Sequence, residues 1–107
     1  MTDNWEEADG VEHVVAQQYL DSPYLINNLK FDLRIYVLLY GMNPLKIYLY
    51  EDGIARFATK EYKKPKRSNM KNMFMHLTNY SINKTSADFV QNENEDGSGE
   101  GHKKSLA

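Results

Sequence analysis

Three charged side chains lie at alternate positions near the start of the most regular stretch of the chain, at Lys30, Asp32 and Arg34. Because successive residues of a β-strand point to opposite faces, the three share one face. Such a face suits a nucleotide, since a carboxylate accepts hydrogen bonds from ribose hydroxyls and an arginine holds phosphate oxygens with two parallel donors. A solvated strand face carries similar charges, so both interpretations stay open on the spacing alone.

Arg56 could supply a second guanidinium. It lies two predicted strands further along and shares a face with Ile54 and Ala58. Two separated arginines would stabilise the charge that spreads over a phosphoryl group during its transfer, so Arg34 and Arg56 are the candidate catalytic residues. The sequence has neither a Gly-Lys-Ser/Thr phosphate loop nor a dinucleotide fingerprint, so a nucleotide would have to be held in another way.

His76 could act as a general base or a metal ligand. The other histidines, His13 and His102, lie at no metal-ligand spacing from it, so a structural, hydrogen-bonding histidine is favoured. Thr78 and Asn79 are ordinary loop residues when taken from the sequence alone.

These residues depend on a set of predicted strands. Apolar residues occupy alternate positions of the clearest one: Phe31, Leu33, Ile35, Val37 and Leu39. This period of two predicts a strand whose odd positions face a core. Further strands are predicted over residues 14–20, 45–50 and 54–59.

Turn signals separate the predicted strands, at Asn27-Asn28, at residues 41–44 and at Asp52-Gly53. The last is a strong hairpin signal, because both central positions need positive φ. Strands joined by such short turns pair antiparallel, which predicts a meander. Residues 69–74 could add one or two helical turns, which gives an α+β fold class.

Composition sets the broad class. The chain has 107 residues, 41% of them hydrophobic, which suffices for one small domain. It has no cysteine, which excludes a disulfide-stapled secreted fold and a thiolate metal site. The polar lead-in, residues 1–12, carries no secretory signal, and no apolar run approaches the length of a membrane span. A cytoplasmic location without a membrane partner is therefore expected.

Charge is unevenly distributed although the net charge is only −2. Residues 60–67 are basic, which indicates either a solvated loop or a contact with an acidic polymer. A nucleic-acid partner is not expected, since the aromatic interleaving and domain-wide positive charge typical of such proteins are missing. Residues 92–101 form an acidic, glycine-containing stretch that is expected to be a disordered loop.

Four ordered strings resemble motifs of the tubulin tyrosine ligase-like family. They are KFDLRIYV from Lys30, NPLKIYLY from Asn43, DGIARFAT from Asp52 and MHLTNYSINK from Met75. The similarity runs from about Val14 to Lys84 and resumes over residues 101–107. The chain is thereby identified as part of the catalytic domain of this family, in its tubulin polyglutamylase branch.

The resemblance implies an incomplete ATP-grasp domain, represented by its antiparallel sheet, and an ATP-dependent reaction. The family joins an amino acid to tubulin by activating a carboxylate as an acyl phosphate, which an amine then attacks. The adenine and ribose contacts would be Gln17, Gln18, Tyr19, Leu20, Lys30 and Asp32. Arg34 would lie near the phosphates, with Thr78 and Asn79 also contacting the nucleotide. The incoming glutamate would be held by Arg56, Tyr80, Ser81 and Lys103, and His76 would be a nearby pocket residue.

The resemblance also implies what lies elsewhere. The family binds Mg²⁺ through an Asp and a Glu-x-Asn late in the domain, so the magnesium ligands are expected outside this chain, and the isolated chain is expected to be inactive. Two alternatives to a ligase fragment stay open: a non-catalytic nucleotide- or tubulin-binding module, and a truncated relic. Tyr80-Ser81 and residues 101–103 favour glutamate over glycine or tyrosine.

The expected partners are tubulin C-terminal tails or microtubules, together with glutamate. Tubulin tails are acidic, so four basic residues could dock them: Lys63, Lys64, Lys66 and Arg67. The expected location is the cytoplasm, at the cytoskeleton, with the cilium or basal body as the finer expectation.

Overall fold

A four-stranded antiparallel sheet forms the frame of the molecule. The computed structural model of the chain describes residue 15, residues 17–91 and residues 101–107. The strands are β1 (Leu25–Ile26), β2 (Leu29–Met42), β3 (Leu45–Phe57) and β4 (Lys103–Ser105), and the short helices are α1 (Met73–His76) and α2 (Tyr80–Asn83). The strand order is β1-β2-β3-β4. The predicted antiparallel sheet and the α+β class are confirmed.

Two of the predicted turns join neighbouring strands. Asn27 and Asn28 have φ angles of 51° and 61° and connect β1 to β2 as a two-residue hairpin. Asparagine tolerates this left-handed conformation better than most residues, which is why the pair is a turn signal. At the far end, Gly41 has a φ of 73°, and the Asn43–Pro44 bond is cis. The register shift between Tyr40 and Met42 places a bulge at this glycine.

The predicted hairpin at Asp52-Gly53 is wrong. β3 runs without a break from Leu45 to Phe57, and both of its halves pair with β2. Between the Ile35–Gly53 and Val37–Leu49 pairs, β3 holds three residues opposite the single residue Tyr36, so the strand bulges. Arg56 is consequently on the strand next to Asp32, and not two strands along.

Local packing explains why Asp52-Gly53 does not turn the chain. A Cβ on Gly53 would lie 2.5 Å from the carbonyl oxygen of Arg34, so this glycine permits a close approach of two strands. The Asp52 carboxylate accepts hydrogen bonds from the Ser105 hydroxyl at 2.9 Å and from the Leu106 amide at 3.0 Å. Asp52 in β3 therefore holds the end of β4 by hydrogen bonds, and the chain does not turn there.

The predicted strand over residues 14–20 is also wrong where it can be observed. Residues 17–20 are irregular, and none of the described strands pairs with them. A strand needs a hydrogen-bonding neighbour, and this segment is instead held by the side chain of Tyr19. Val14, Ala16, the lead-in and residues 92–100 of the acidic stretch lie outside the described residues.

Buried residues gather at the end of β3 and not along the face of β2. Among the described residues the buried set is Gly53, Ala55, Ala58, Thr59, Met75, His76, Asn83 and Gly101. The predicted core face of β2 is wrong for most of its length, since Leu33, Val37 and Leu39 are 50%, 55% and 65% exposed. The reason is that α1 and α2 have four residues each, too few to cover a strand of 14 residues. The expected helical turn over residues 69–74 begins late, at Met73.

None of the described helices is long and apolar enough to cross a membrane.

Candidate functional site

An ion pair between neighbouring strands forms the centre of the candidate site. Asp32 on β2 lies directly opposite Arg56 on β3. The guanidinium donates from Nε to Oδ1 at 2.9 Å and makes a second, shorter contact from Nη2 to Oδ2. This forked arrangement is the strongest that an arginine makes with a carboxylate. The hydrogen bonds that Arg56 donates to Asp32 raise the pKa of Arg56 further, so the group is a permanent cation.

Arg56 also lines a shallow pocket that four predicted site residues share. Lys103 pairs with Arg56 across β3 and β4, so the two cations are adjacent. The lining residues are Arg56, Phe57, Thr78, Tyr80, Asn83, Phe89, His102 and Lys103. Predicted residues from three separate stretches of the sequence therefore converge, and they arrive from β3, β4 and the α1–α2 region.

Aromatic side chains form one wall of this pocket. The Phe89 ring packs edge-on to Tyr80 at 5.8 Å and stacks on His102 at 5.7 Å between centroids. The Val90 amide donates to Nδ1 of His102 at 3.0 Å, and the His102 amide donates to the Val90 carbonyl at 3.0 Å. These paired bonds hold the segment after α2 against the start of β4. Phe89 was not predicted from the sequence, because it belongs to no recognisable motif, and His102 was noted only as part of residues 101–103.

Asn83 fixes the loop that carries Thr78 and Asn79. Its side chain is only 1% exposed. Its amide nitrogen donates to the carbonyls of Leu77 at 2.8 Å and Asn79 at 3.1 Å, while its oxygen accepts from the amide and hydroxyl of Thr59. All the bonding capacity of this buried amide is used, as burial demands. In the sequence, Asn83 is one residue of the MHLTNYSINK string, and no role was predicted for it.

Tyr19 and Lys30 meet near the buried His76. The Lys30 ammonium lies 3.4 Å from the Tyr19 hydroxyl and 4.5 Å from the centre of its ring. The hydroxyl is 2.8 Å from Nδ1 of His76, whose Nε2 is 3.1 Å from the Asn69 carbonyl. Burial lowers the pKa of His76, so the imidazole is neutral near pH 7. The expected hydrogen-bonding histidine is thus found.

Lys30, Asp32 and Arg34 share a face, as predicted. All three precede the first register shift of β2, and Arg34 lies opposite Ile54. The remaining predicted residues do not line the pocket; Gln17, Gln18, Leu20, Asn79 and Ser81 are exposed. Arg34 is also exposed and lies on the strand surface beyond Asp32.

The described part of the chain holds no cluster of three or more His, Cys, Asp or Glu side chains that could bind a metal. The basic residues 60–67 have no helix or strand, and Lys60 forms an ion pair with Asp88.

The sequence profile of the Tubulin-tyrosine ligase family matches residues 1–107. The chain belongs to this family. It is 48% identical over 106 residues to a probable beta-tubulin polyglutamylase of Tetrahymena thermophila, which covers 99% of this chain and 9% of that relative. It is 44% identical over 103 residues to the tubulin polyglutamylase TTLL7 of Mus musculus, covering 96% of this chain and 11% of the relative. Human tubulin polyglutamylase TTLL13 is 48% identical over 91 residues, covering 85% and 11%.

The chain thus spans about a tenth of the length of the curated relatives that it matches. The resemblance to the polyglutamylase branch, drawn from four short strings, is confirmed over the whole chain.

Proposed function

We propose that this chain supplies nucleotide and amino-acid contacts in an ATP-dependent ligase that adds glutamate to tubulin tails. The supporting observation is the convergence of Arg56, Thr78, Tyr80 and Lys103 on one pocket. The family membership and the polyglutamylase relatives give that convergence its chemical meaning. If the predicted site residues had been scattered over the surface, a simple binding module would have been favoured.

The pair of cations in the pocket supports glutamate as the amino acid. Free glutamate has two carboxylates, whereas glycine and tyrosine have one each. Arg56 and Lys103 lie side by side across β3 and β4, so each can face one carboxylate. The Nη1 donors of Arg56 take no part in the pair with Asp32, which leaves them available to a ligand. Tyr80 and Ser81 are proposed to add hydroxyl contacts.

Three of the residues proposed to hold ATP lie along β2, on the same face of the sheet as Arg56 and Lys103. Lys30 and Asp32 would contact the ribose, Tyr19 the adenine, and Arg34 the phosphates. Bound ATP would supply the phosphoryl group that makes a carboxylate reactive toward an amine. The half-buried ammonium of Lys30, whose pKa is lowered by desolvation, fits a site that a polyanion enters. Gln17, Gln18 and Leu20 would border the base, and Thr78 and Asn79 would approach from the α1–α2 loop.

Among the described residues, the carboxylates are not gathered into a magnesium site. Asp32 is engaged by Arg56, and no three candidate ligands lie together in the described residues. In line with the family resemblance, we propose that the magnesium ligands come from outside these 107 residues, and we assign no step through the ion.

Nuclear magnetic resonance titration of the 107-residue chain tests the site directly. We expect ATP to shift signals of Lys30 and Thr78, and glutamate to shift those of Tyr80 and Lys103. Lys103→Met should weaken glutamate binding by about tenfold, because a charge-assisted contact is lost. Lys104→Met is the matched control, since Lys104 is the next residue of β4 and alternates to the other face. Equal effects of the two substitutions, or shifts confined to other surfaces, would contradict the proposal.

The basic residues are proposed to dock the acidic tubulin tail. Lys63, Lys64 and Lys66 are exposed on an irregular segment that leaves the sheet after Ala58. Such a segment can adapt to a flexible acidic partner through charge alone. The finer location that follows is the microtubule surface in the cytoplasm, including cilia and basal bodies.

A further inference from the structure

We propose that His76 is a positioning residue that acts through the Tyr19 hydroxyl to fix the ammonium of Lys30. The proposal rests on the proposed function only in assigning Lys30 to the nucleotide site. His76 is 2% exposed, so it is placed to act through another residue and not by direct contact with a ligand.

The protonation state of the imidazole follows from its two partners. Nε2 lies 3.1 Å from the Asn69 carbonyl oxygen, which can only accept, so Nε2 carries the proton. In the neutral ring Nδ1 is then an acceptor, and the Tyr19 hydroxyl at 2.8 Å must donate to it. Burial raises the pKa of Tyr19, so this hydroxyl keeps its proton.

The direction of that bond decides what the hydroxyl offers to Lys30. Its only proton points toward His76, so the lone pairs of the oxygen remain for the ammonium, 3.4 Å away. The ammonium also lies over the Tyr19 ring, 4.5 Å from its centre. Lys30 is therefore held by Tyr19, and the orientation of the Tyr19 hydroxyl depends on the buried His76. His76 lies 46 positions after Lys30 in the chain.

Tyr62 and Asn69 also lie against the imidazole, but neither takes the place of Tyr19 between His76 and Lys30. Tyr62 packs edge-on to the ring at 6.1 Å, and its own hydroxyl donates to the Asp21 carbonyl. Asn69 contributes a backbone carbonyl, and Lys30 contributes the nearby positive charge. Of these groups, Tyr19 is the one that contacts both the imidazole and the ammonium.

Two substitutions at His76 separate a role through Tyr19 from simple packing. An asparagine amide can place an acceptor near the position of Nδ1, whereas a glutamine amide reaches the position of Nε2. In the 107-residue chain, carbon-13-labelled lysine reports the environment of Lys30 in the absence of any nucleotide. We expect its signal to move in His76→Gln and in Tyr19→Phe, and to stay near the wild-type position in His76→Asn.

ATP affinity should follow the same order. Tyr19→Phe and His76→Gln are expected to weaken binding about fivefold, the loss of one hydrogen bond, and His76→Asn by less than about twofold. Tyr19→Phe keeps the ring, so it decides the question if the His76 variants fail to fold. Tyr24→Phe is the matched control, because the Tyr24 ring is 80% exposed and packs against Phe31.

A Lys30 signal that is indifferent to Tyr19→Phe would overturn the proposal, as would equal effects of the asparagine and glutamine variants. Failure of the wild-type chain to bind ATP would count against the proposed function instead, because the Lys30 signal tests the positioning role without nucleotide.

Discussion

Asn83 is the residue whose loss should damage the site most without removing a ligand contact. Asn83→Ala removes one partner from each of two loop carbonyls and two Thr59 donors, in a place that water does not reach. We expect the free energy of unfolding to fall by about 2–4 kcal/mol, because buried polar groups are left unsatisfied. Urea unfolding measures the change.

The exposed Asn72 provides the control for that experiment. It precedes α1 but makes no side-chain cap hydrogen bond, so Asn72→Ala should change the free energy of unfolding by less than about 0.5 kcal/mol. Similar losses in both variants would show that Asn83 does not hold the loop.

The pair of Asp32 and Arg56 predicts a different outcome, because both side chains reach solvent. Their side chains are 38% and 23% exposed, so the pair should contribute only about 1 kcal/mol to stability. Arg56→Lys keeps the positive charge but loses the guanidinium, including the Nη1 donors proposed to contact glutamate. It should therefore weaken glutamate binding by about tenfold while changing the free energy of unfolding little. Urea unfolding and a glutamate titration distinguish the two effects. If the lysine variant binds glutamate as tightly as the wild type, the guanidinium donors of Arg56 are not used for glutamate.

At the scale of elements, Asp52 fixes β4 and with it Lys103. Its carboxylate accepts from the amides of Gly53, Leu106 and Ala107 and from the Ser105 hydroxyl. The hydrogen bond from Gly53, followed by that from Ser105, lowers the pKa of Asp52 below its ordinary value of 3.8. The stabilisation is therefore present above that value and is lost as pH falls through the lower folded-state pKa.

Hydrogen exchange can test this attachment. In Asp52→Ala, the amides of Leu106 and Ala107 should exchange faster at neutral pH, because their acceptor is gone. Asp88→Ala removes the ion pair with Lys60 and should leave those amides unchanged. Unaltered exchange in the Asp52 variant would mean that the backbone pairing with β3 holds β4 alone.

Element prediction from the sequence succeeded where the signal was local. The alternation through Phe31 to Leu39 and the Asn27-Asn28 turn depend on neighbouring residues only, and β2 and its hairpin are present. Asp52-Gly53 misled because its turn preference is overridden by contacts with residues 105–107, which lie more than 50 positions away. The core face of β2 was misassigned because alternation shows that two faces differ, but not what covers them.

The candidate site was predictable to a similar extent. Spacing placed Lys30, Asp32 and Arg34 on one face, and the family motifs named Thr78, Tyr80 and Lys103. No sequence pattern showed that Asp32 binds Arg56, because that pairing depends on the register of two strands. Asn83 and His102 are likewise defined by long-range contacts.

At the scale of the whole molecule, charge is expected to govern association with tubulin. The chain has a net charge of −2, so an acidic tail would be attracted by the basic residues 60–67 and not by the charge of the whole chain. Affinity for a tubulin-tail peptide should fall several-fold between about 50 mM and about 200 mM salt. Lys63→Glu with Lys64→Glu should remove most of that dependence. Fluorescence anisotropy of a labelled peptide measures it, and an affinity insensitive to salt would contradict the docking proposal.

These residues are proposed to form a working part of a tubulin polyglutamylase. The most direct measurement replaces the matching 103-residue region of mouse TTLL7 with this chain and follows labelled glutamate into purified tubulin. We expect incorporation by the folded chimera, with a loss of at least about tenfold for Lys103→Met and none for Lys104→Met. A folded chimera that binds tubulin and ATP but transfers no glutamate, beside an active parent enzyme, would contradict the claim and favour a non-catalytic binding module.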